Sequence, residues 1–137
     1  MFKIINRQDR SLIPWYAAAA IKRGQLVIED TGAKPCTAEL ATQVIIGLAT
    51  NDAAIGEIVY VMPLNGAILE VPYLSSATDQ TLTDADIGTD FDIDIDVTDG
   101  DMTLDTDDTS GFLYLVGYDN TRKIAKVIVP NTKLLVG

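Results

Sequence analysis

Histidine is absent from this 137-residue chain, and cysteine occurs once, at Cys36. The lack of histidine excludes Ser-His-Asp triads, imidazole acid–base catalysis and histidine metal sites. A single cysteine forms neither an intramolecular disulfide nor a cysteine-cluster zinc site. Because no histidine can activate it, we interpret Cys36 as a small structural residue rather than a nucleophile. The sequence therefore predicts a protein that is not an enzyme, has no small-molecule substrate, and carries no cofactor or metal.

Long hydrophobic runs are also missing. No stretch approaches the ~18 apolar residues of a membrane span, so we expect no membrane partner. Asn6–Ser11 is polar where the apolar region of a secretory signal would lie. Hydrophobic residues nevertheless make up 47% of the chain, enough for one globular core. We therefore expect a soluble protein made in the cytoplasm.

Basic residues are few, with ten lysines and arginines against twenty acidic residues and a net charge of −10. Twelve aspartates lie between Asp79 and Asp108, a segment without lysine, arginine or glutamate that we call the aspartate block. The rest of the chain has a net charge of +2, and the first 34 residues have +3. Phosphate binding requires a basic face, so this balance predicts no nucleic-acid partner.

The aspartate block contains a partial calcium-binding pattern. Asp92, Asp94 and Asp96 have the first three ligand spacings of an EF-hand loop. Val97 then occupies the position that needs glycine, and Thr103 the position that needs a bidentate glutamate. In a strand, alternate carboxylates lie about 6–7 Å apart along one face, too far to converge easily on one ion. The block is interpreted as a solvated strand face, with a weak or interfacial calcium site as the alternative.

Short apolar runs separated by turn residues predict an all-β fold, a compact β-sandwich or small β-barrel with at most one or two short helical turns. Asn65-Gly66 predicts a type I′ hairpin. Thr83–Asp86 resembles a capping box, and Gly88 is placed to end that turn. Two runs, 112–118 and 123–129, are apolar enough to be interior strands. The predicted strands are Leu26–Glu29, Val44–Ala49, Glu57–Met62, Ala67–Val71, Phe91–Val97, Phe112–Tyr118, Lys123–Val129 and Lys133–Val136.

The first twenty residues differ in character from the predicted single β domain of residues 21–137. They combine basic side chains with aromatic ones, including the only tryptophan. Arginines and aromatics are common interface anchors. The segment is therefore either an edge strand that packs its tryptophan into the protein's own core, or an arm that docks on another chain. The candidate contact residues are Lys3, Arg7, Arg10, Trp15 and Tyr16.

An ordered series of short motifs extends over about residues 20–130. Its members are Lys22–Ile28, Pro35–Ala38, Ile46–Ala49, Asn51–Val61, a strand beginning at Gly66, Leu82–Gly88, and Gly117-Tyr118-Asp119 followed by Val127–Val129. In this order the motifs resemble the small capsid decoration (cement) proteins of tailed bacteriophages. The long tryptophan-containing N-terminal segment and the dense aspartate block depart from that family's pattern.

The resemblance implies a compact β-rich domain that binds the outer surface of an assembled viral head and bridges coat subunits. Its expected partners are the major capsid protein and other copies of itself, as a homotrimer. The candidate contact residues would then touch the coat, and the protein would be located on the outer capsid surface after synthesis in the host cytoplasm. The alternatives are another virion β-domain, from a tail or head fibre, or an acidic calcium-dependent adhesion module.

Overall fold

The computed structural model describes residues 1–6, 11–36, 44–73, 81–95, 99–106, 109 and 111–135. In that part the chain forms β-strands and two short 3-10 turns, so the all-β prediction is confirmed. Within the same ranges, no helix is long and apolar enough to cross a membrane. The strands are β1 (Lys3–Ile4), β2 (Ile13–Tyr16), β3 (Leu26–Glu29), β4 (Ala33–Pro35), β5 (Val44–Ala49), β6 (Ile58–Met62), β7 (Leu69–Pro72), β8 (Asp90–Ile95), β9 (Met102–Asp105), β10 (Leu113–Asp119) and β11 (Ile124–Ile128).

The strands pair into two antiparallel sheets. The first sheet has six strands in the order β1-β7-β11-β10-β8-β9, and the second has five in the order β2-β6-β5-β3-β4. β10 and β11 lie inside the first sheet, as their apolar character predicted. The architecture is therefore a β-sandwich.

The main core lies between the two sheets. Alternate residues of each strand point into it because side chains of a strand alternate between its two faces. Buried members from the first sheet include Leu69, Val71, Leu113, Leu115 and Val127, and members from the second include Leu26, Ile28, Ile45 and Leu48. A bulge at Ile46 interrupts the alternation along β5, so both Ile45 and Leu48 face this core.

The second sheet curls into a half-barrel with a core of its own. The indole of Trp15 on β2 reaches Glu29 on β3, although three strand steps separate these strands in the sheet. A parallel bridge between Ala17 and Ala33 joins the end of β2 to β4. Small side chains fill the narrow interior, and the cluster consists of Ala17, Ile21, Val27, Ala33, Ile46, Ala49, Ala53, Val59 and Val61. Trp15 packs against this cluster from one side.

The first twenty residues supply an edge strand to each sheet. β1 pairs with β7 at one edge of the first sheet, and β2 pairs with β6 at one edge of the second. Phe2, just before β1, is buried in the main core, and its N–H donates to the carbonyl of Gly24 at 3.1 Å. The beginning of the chain is thus packed against the rest of the domain.

The predicted hairpin at Asn65-Gly66 is wrong. β6 belongs to the second sheet and β7 to the first, so the connection crosses between sheets instead of joining paired strands. Ala67 donates to the carbonyl of Leu64 at 2.9 Å, and only Gly66 of the two central residues has a positive φ, +71°. A positive φ at the third residue alone is the geometry of a type II turn.

The C-terminal prediction is also corrected. Asn131–Lys133 forms a 3-10 turn, and Leu134 makes a single parallel bridge to Ile45, where a strand over Lys133–Val136 was predicted. Val136 lies outside the described residues. The backbone groups of Leu134 and Leu135 bond to this turn and to Ile45, so no strand ladder develops among the residues described there.

The predicted turn before β8 is confirmed. Asp84–Asp86 forms a 3-10 turn, and the backbone N–H of Thr83 donates to the Asp86 carboxylate at 2.8 Å. Gly88 follows with φ +90°, a conformation that favours glycine. This local chemistry aligns the chain for its entry into β8.

We predict that Phe2→Ala lowers the free energy of unfolding by about 3–5 kcal/mol, because it leaves a cavity in the main core. Urea denaturation followed by circular dichroism measures the change. The control is Ile5→Ala, since Ile5 is exposed; it should stay within about 0.5–1 kcal/mol of wild type. Equal stability of the two variants would contradict the packing of the N-terminal residues described above.

Candidate interaction surface

The edge strand β2 differs from the other sheet edges in having no charged residue. β1 is two residues long and includes Lys3, β4 includes Lys34, and β9 ends at Asp105. Short length and charge are the usual protections of a sheet edge against other chains. In β2 the protection is Pro14 alone, which removes one backbone donor. Of the edges formed by described strands, β2 is thus the one suited to apolar contact through its side chains.

An exposed apolar face covers β2 and its neighbour β6. Register pairs Pro14 with Tyr60 and Tyr16 with Ile58, which places these four side chains on the same side of the sheet. Tyr16 is 69% exposed, Tyr60 45% and Ile58 41%. β6 contains no charged residue either. We call these four residues the β2–β6 face; contiguous exposed apolar surface of this kind is typical of a docking site.

The β2–β6 face exists because the second sheet extends beyond the first. Met62, Tyr60 and Ile58 are alternate residues of β6, so their side chains lie on the same side of the strand. Met62 packs against the main core. The β1 edge of the first sheet ends near this point, where an open groove of about 240 Å³ is lined by residues that include Lys3, Ile4, Leu48 and Met62. Past Met62 the same side of β6 is exposed to solvent.

Next to this face lies a second feature, the Trp15 groove, lined by Pro14, Trp15, Tyr16, Glu29 and Gly32. It is a shallow, open depression of about 330 Å³. The indole N–H of Trp15 donates to Glu29 Oε2 at 2.8 Å, and the backbone N–H of Gly32 donates to Glu29 Oε1 at 3.3 Å. These bonds fix the carboxylate beside the Trp15 indole.

The structure places the candidate contact residues in different surroundings. The ammonium of Lys3 lies 3.3 Å from a carboxylate oxygen of Glu70, so it forms an ion pair within the protein. Trp15 is half-buried against the small cluster of the second sheet, whereas Tyr16 is largely exposed on the β2–β6 face. Arg7 and Arg10 lie outside the described residues. The structure therefore places Trp15 and Tyr16 on the edge strand β2 with their side chains on opposite faces, and it places Lys3 on the other sheet.

Sequence reasoning missed Pro14, Glu29, Ile58 and Tyr60 as candidate residues. The alternation Ile58-Val59-Tyr60-Val61 indicates a strand with two apolar faces, and only one of them is covered here. A strand without a polar face would have signalled either an interior position or an interface. Glu29 gave no such signal, because its proximity to Trp15 depends on the curl of the sheet.

The aspartate block was expected to face solvent, and this is wrong for Asp92. That residue is only 5% exposed, and its Oδ1 accepts the backbone N–H of Ile93 at 2.8 Å. A buried carboxylate is tolerated where polar groups contact it. Asp84, Asp90, Asp99 and Asp101 are exposed as expected, and Asp86, Asp94 and Asp105 are half-buried. Asp96 lies outside the described residues.

A basic loop of the second sheet holds the tip of the β8–β9 hairpin. Lys22 Nζ lies 2.7 Å from Asp101 Oδ1 and donates to the carbonyl of Asp99 at 3.1 Å. Gln25 Nε2 donates to the carbonyl of Gly100 at 2.6 Å. The hydrogen bond with Lys22 lowers the pKa of Asp101, and the same bond raises the pKa of Lys22. This contact fixes the aspartate block next to β3.

The register of β8 and β9 shows where the carboxylates of the partial EF-hand pattern lie. Asp92 lies opposite Asp105, and Asp94 lies opposite Thr103. Among the residues that the structure describes, no three acidic or cysteine side chains come together as a metal site. The strand geometry keeps the carboxylates apart along the ribbon, as expected for alternate residues.

Cys36 is fully buried in the main core, directly after β4. Burial raises the pKa of its thiol, and the nearby charge of Asp92 adds to the effect. A raised pKa keeps the side chain in the neutral thiol form, which is a poor nucleophile. These properties agree with a packing role.

No protein-family model matches this chain, and no curated protein is significantly similar to it.

We predict that Asp101→Asn lowers the melting temperature slightly at neutral pH relative to Asp90→Asn. Both changes remove one charge from the aspartate block, but only Asp101 forms the ion pair with Lys22. Because the pKa of Asp101 is lowered, its contribution is present above about pH 4 and disappears as pH falls through that lowered pKa. Because the pKa of Lys22 is raised, the contribution also disappears as pH rises through that value.

Differential scanning calorimetry across pH tests this expectation. The two variants should have the same melting temperature at both pH extremes. If Asp101→Asn is at least as stable as Asp90→Asn at pH 7, the ion pair contributes no stability.

A further prediction is that the fold does not depend on calcium. Thermal melts recorded with calcium and with a chelator should nearly coincide, because the carboxylates of β8 and β9 do not converge on one point. A shift of about 4–8 °C or more corresponds to roughly 1 kcal/mol of linkage and would establish a calcium site in the block.

Proposed function

We propose that the protein is a capsid decoration protein that binds the outer surface of an assembled viral head and stabilises it by bridging coat subunits. In this proposal it acts without catalysis, assembles as a homotrimer on the capsid, and has the major capsid protein as its partner. The order of motifs over about residues 20–130 supports the family, and the all-β sandwich supplies the rigid domain that this role requires.

The observation that carries the proposal is the β2–β6 face. It presents Tyr16, Tyr60 and Ile58 to solvent on two strands that contain no charge. Tyrosine is a frequent anchor of interfaces because its ring offers a large apolar area and its hydroxyl a hydrogen bond.

The position of this face is also suitable. The β9 edge of the first sheet lies against β3, where the N–H of Leu26 meets the sulfur of Met102 at 3.3 Å. The β2–β6 face is formed by two strands that are not hydrogen-bonded to β3, and none of its four residues belongs to the aspartate block. A partner that contacts these four residues therefore does not need to bury the charges of β8 and β9.

Binding of this kind stabilises a shell by mass action. A protein that binds the assembled shell and not its free subunits shifts the assembly equilibrium toward the shell. Many symmetry-related copies add their effects, so each single contact can be weak.

The proposal is tested with shells that lack the protein, by co-sedimentation and by electron microscopy of the decorated particles. We expect wild type to saturate the outer surface and the double variant Tyr16→Ala/Tyr60→Ala to bind about 700-fold more weakly, since two anchor residues that each cost about 2 kcal/mol together cost about 4 kcal/mol. The matched control is Tyr114→Ala, because Tyr114 is 38% exposed on the outer side of the first sheet.

The control should decorate shells like wild type, and all variants should retain wild-type circular dichroism. If wild type does not bind shells, or if it is found only on tails or fibres, the proposed function is wrong. If the double variant binds as well as Tyr114→Ala, the β2–β6 face is not the contact surface.

A further inference from the structure

We propose that the Trp15 groove binds an arginine side chain presented by the coat protein to which this chain docks. The chemistry of the groove assigns the ligand, a guanidinium group, and only the identity of the partner rests on the function proposed above. The groove would then add a specific polar contact beside the apolar β2–β6 face.

Glu29 supplies the negative charge of the groove. Both of its oxygens accept a hydrogen bond from a neutral donor, the Trp15 indole at 2.8 Å and the Gly32 amide at 3.3 Å. Within the described ranges, no lysine or arginine lies at ion-pair distance from this half-buried carboxylate. Each carboxylate oxygen can accept more than one hydrogen bond, so Glu29 retains capacity for a charged donor.

Glu70 and Asp30, in contrast, already pair with a cation. Glu70 contacts Lys3 at 3.3 Å and Arg122 at 3.7 Å. Asp30, the next residue after Glu29, contacts Lys34 at 3.2 Å. Glu29 differs from these neighbours in facing a groove open to solvent.

The remaining walls of the groove favour a planar cation. The indole of Trp15 lies beside the carboxylate, and a cation over the face of a tryptophan ring is attracted by the negative charge of that face. Guanidinium stacks on such rings and matches a carboxylate with two parallel N–H donors, whereas an ammonium acts as a point charge. Arginine therefore satisfies both elements of the groove at once.

The overall charge agrees with a basic partner. A chain with a net charge of −10 attracts basic surfaces and repels acidic ones. The candidate contact residues predicted from the sequence include three basic ones, Lys3, Arg7 and Arg10. In the structure Lys3 forms an ion pair with Glu70, and the groove next to Tyr16 contains the carboxylate of Glu29.

The ligand chemistry is tested by nuclear magnetic resonance with a capped tetra-arginine peptide as the probe. Trp15 is the only tryptophan, so its indole N–H gives a single signal that reports directly on the groove. We expect saturable shifts of the Trp15 indole and Gly32 amide signals, with a dissociation constant on the order of 1 mM or below. Tetra-lysine should bind several-fold more weakly, and tetra-glutamine should produce no shift.

Two variants with the same charge change separate the groove from general attraction. Glu29→Gln keeps an oxygen that accepts the indole N–H but removes the charge, and we expect it to weaken tetra-arginine binding about tenfold, equivalent to about 1.4 kcal/mol. Asp30→Asn is the matched control and should bind like wild type. Equal weakening by both variants, or no shift in wild type, would overturn the proposal. Concentration-dependent indole shifts without peptide would also overturn it, because a second copy would then occupy the groove.

Shell decoration tests the partner separately. If Glu29→Gln loses both peptide binding and part of its shell binding while Asp30→Asn keeps both, the proposal holds in full. If Glu29→Gln loses peptide binding but decorates shells like wild type, the assignment of the coat arginine is wrong. If wild type binds the peptide but no shell, the proposed function fails while the ligand chemistry stands.

Discussion

The alternation of side chains along β6 is the constraint on which the rest of the structure depends. Val59 and Val61 point into the curled second sheet, and Met62 points to the main core on the other side. Because the period of a strand is two, Tyr60 and Ile58 must share the side of Met62. A slip of one residue would place both in the narrow interior, which is filled by small side chains, and would expose the valines. The register of β6 therefore determines both cores and the apolar face together.

The curl of the second sheet places two kinds of contact next to each other, the apolar β2–β6 face and the polar Trp15 groove. It closes the small core, brings Trp15 of β2 to Glu29 of β3, and leaves Tyr16 beside them on the outside. Two ion pairs hold basic side chains within the protein. Lys22 pairs with Asp101 at the tip of the β8–β9 hairpin, and Lys3 pairs with Glu70. The docking face and the proposed arginine groove adjoin each other at β2, which contributes Pro14 and Tyr16 to both.

Much of the fold could be predicted from short-range patterns. The strands Leu26–Glu29 and Val44–Ala49 coincide with the predicted ones, and the Thr83–Asp86 turn forms as its capping box indicated. These features depend on alternation and on hydrogen bonds between residues close in sequence. β4 and β9 were missed because they are short, contain polar residues and are held as edge strands by their neighbours. The Asn65-Gly66 turn was misassigned because its two flanking strands belong to different sheets.

The sequence by itself determined the fold class, the asymmetry of charge and the lack of histidine-dependent chemistry, since composition and strand periodicity are local properties. The tertiary structure decided which apolar side chains stay exposed. Tyr60 and Met62 lie on the same side of β6, yet Tyr60 is exposed and Met62 packs against the main core; the difference is that the first sheet ends at β1 and covers only part of the second. It also decided that Asp92 is buried and that Glu29 meets Trp15, because the curl and register of whole sheets set these contacts between residues distant in the chain.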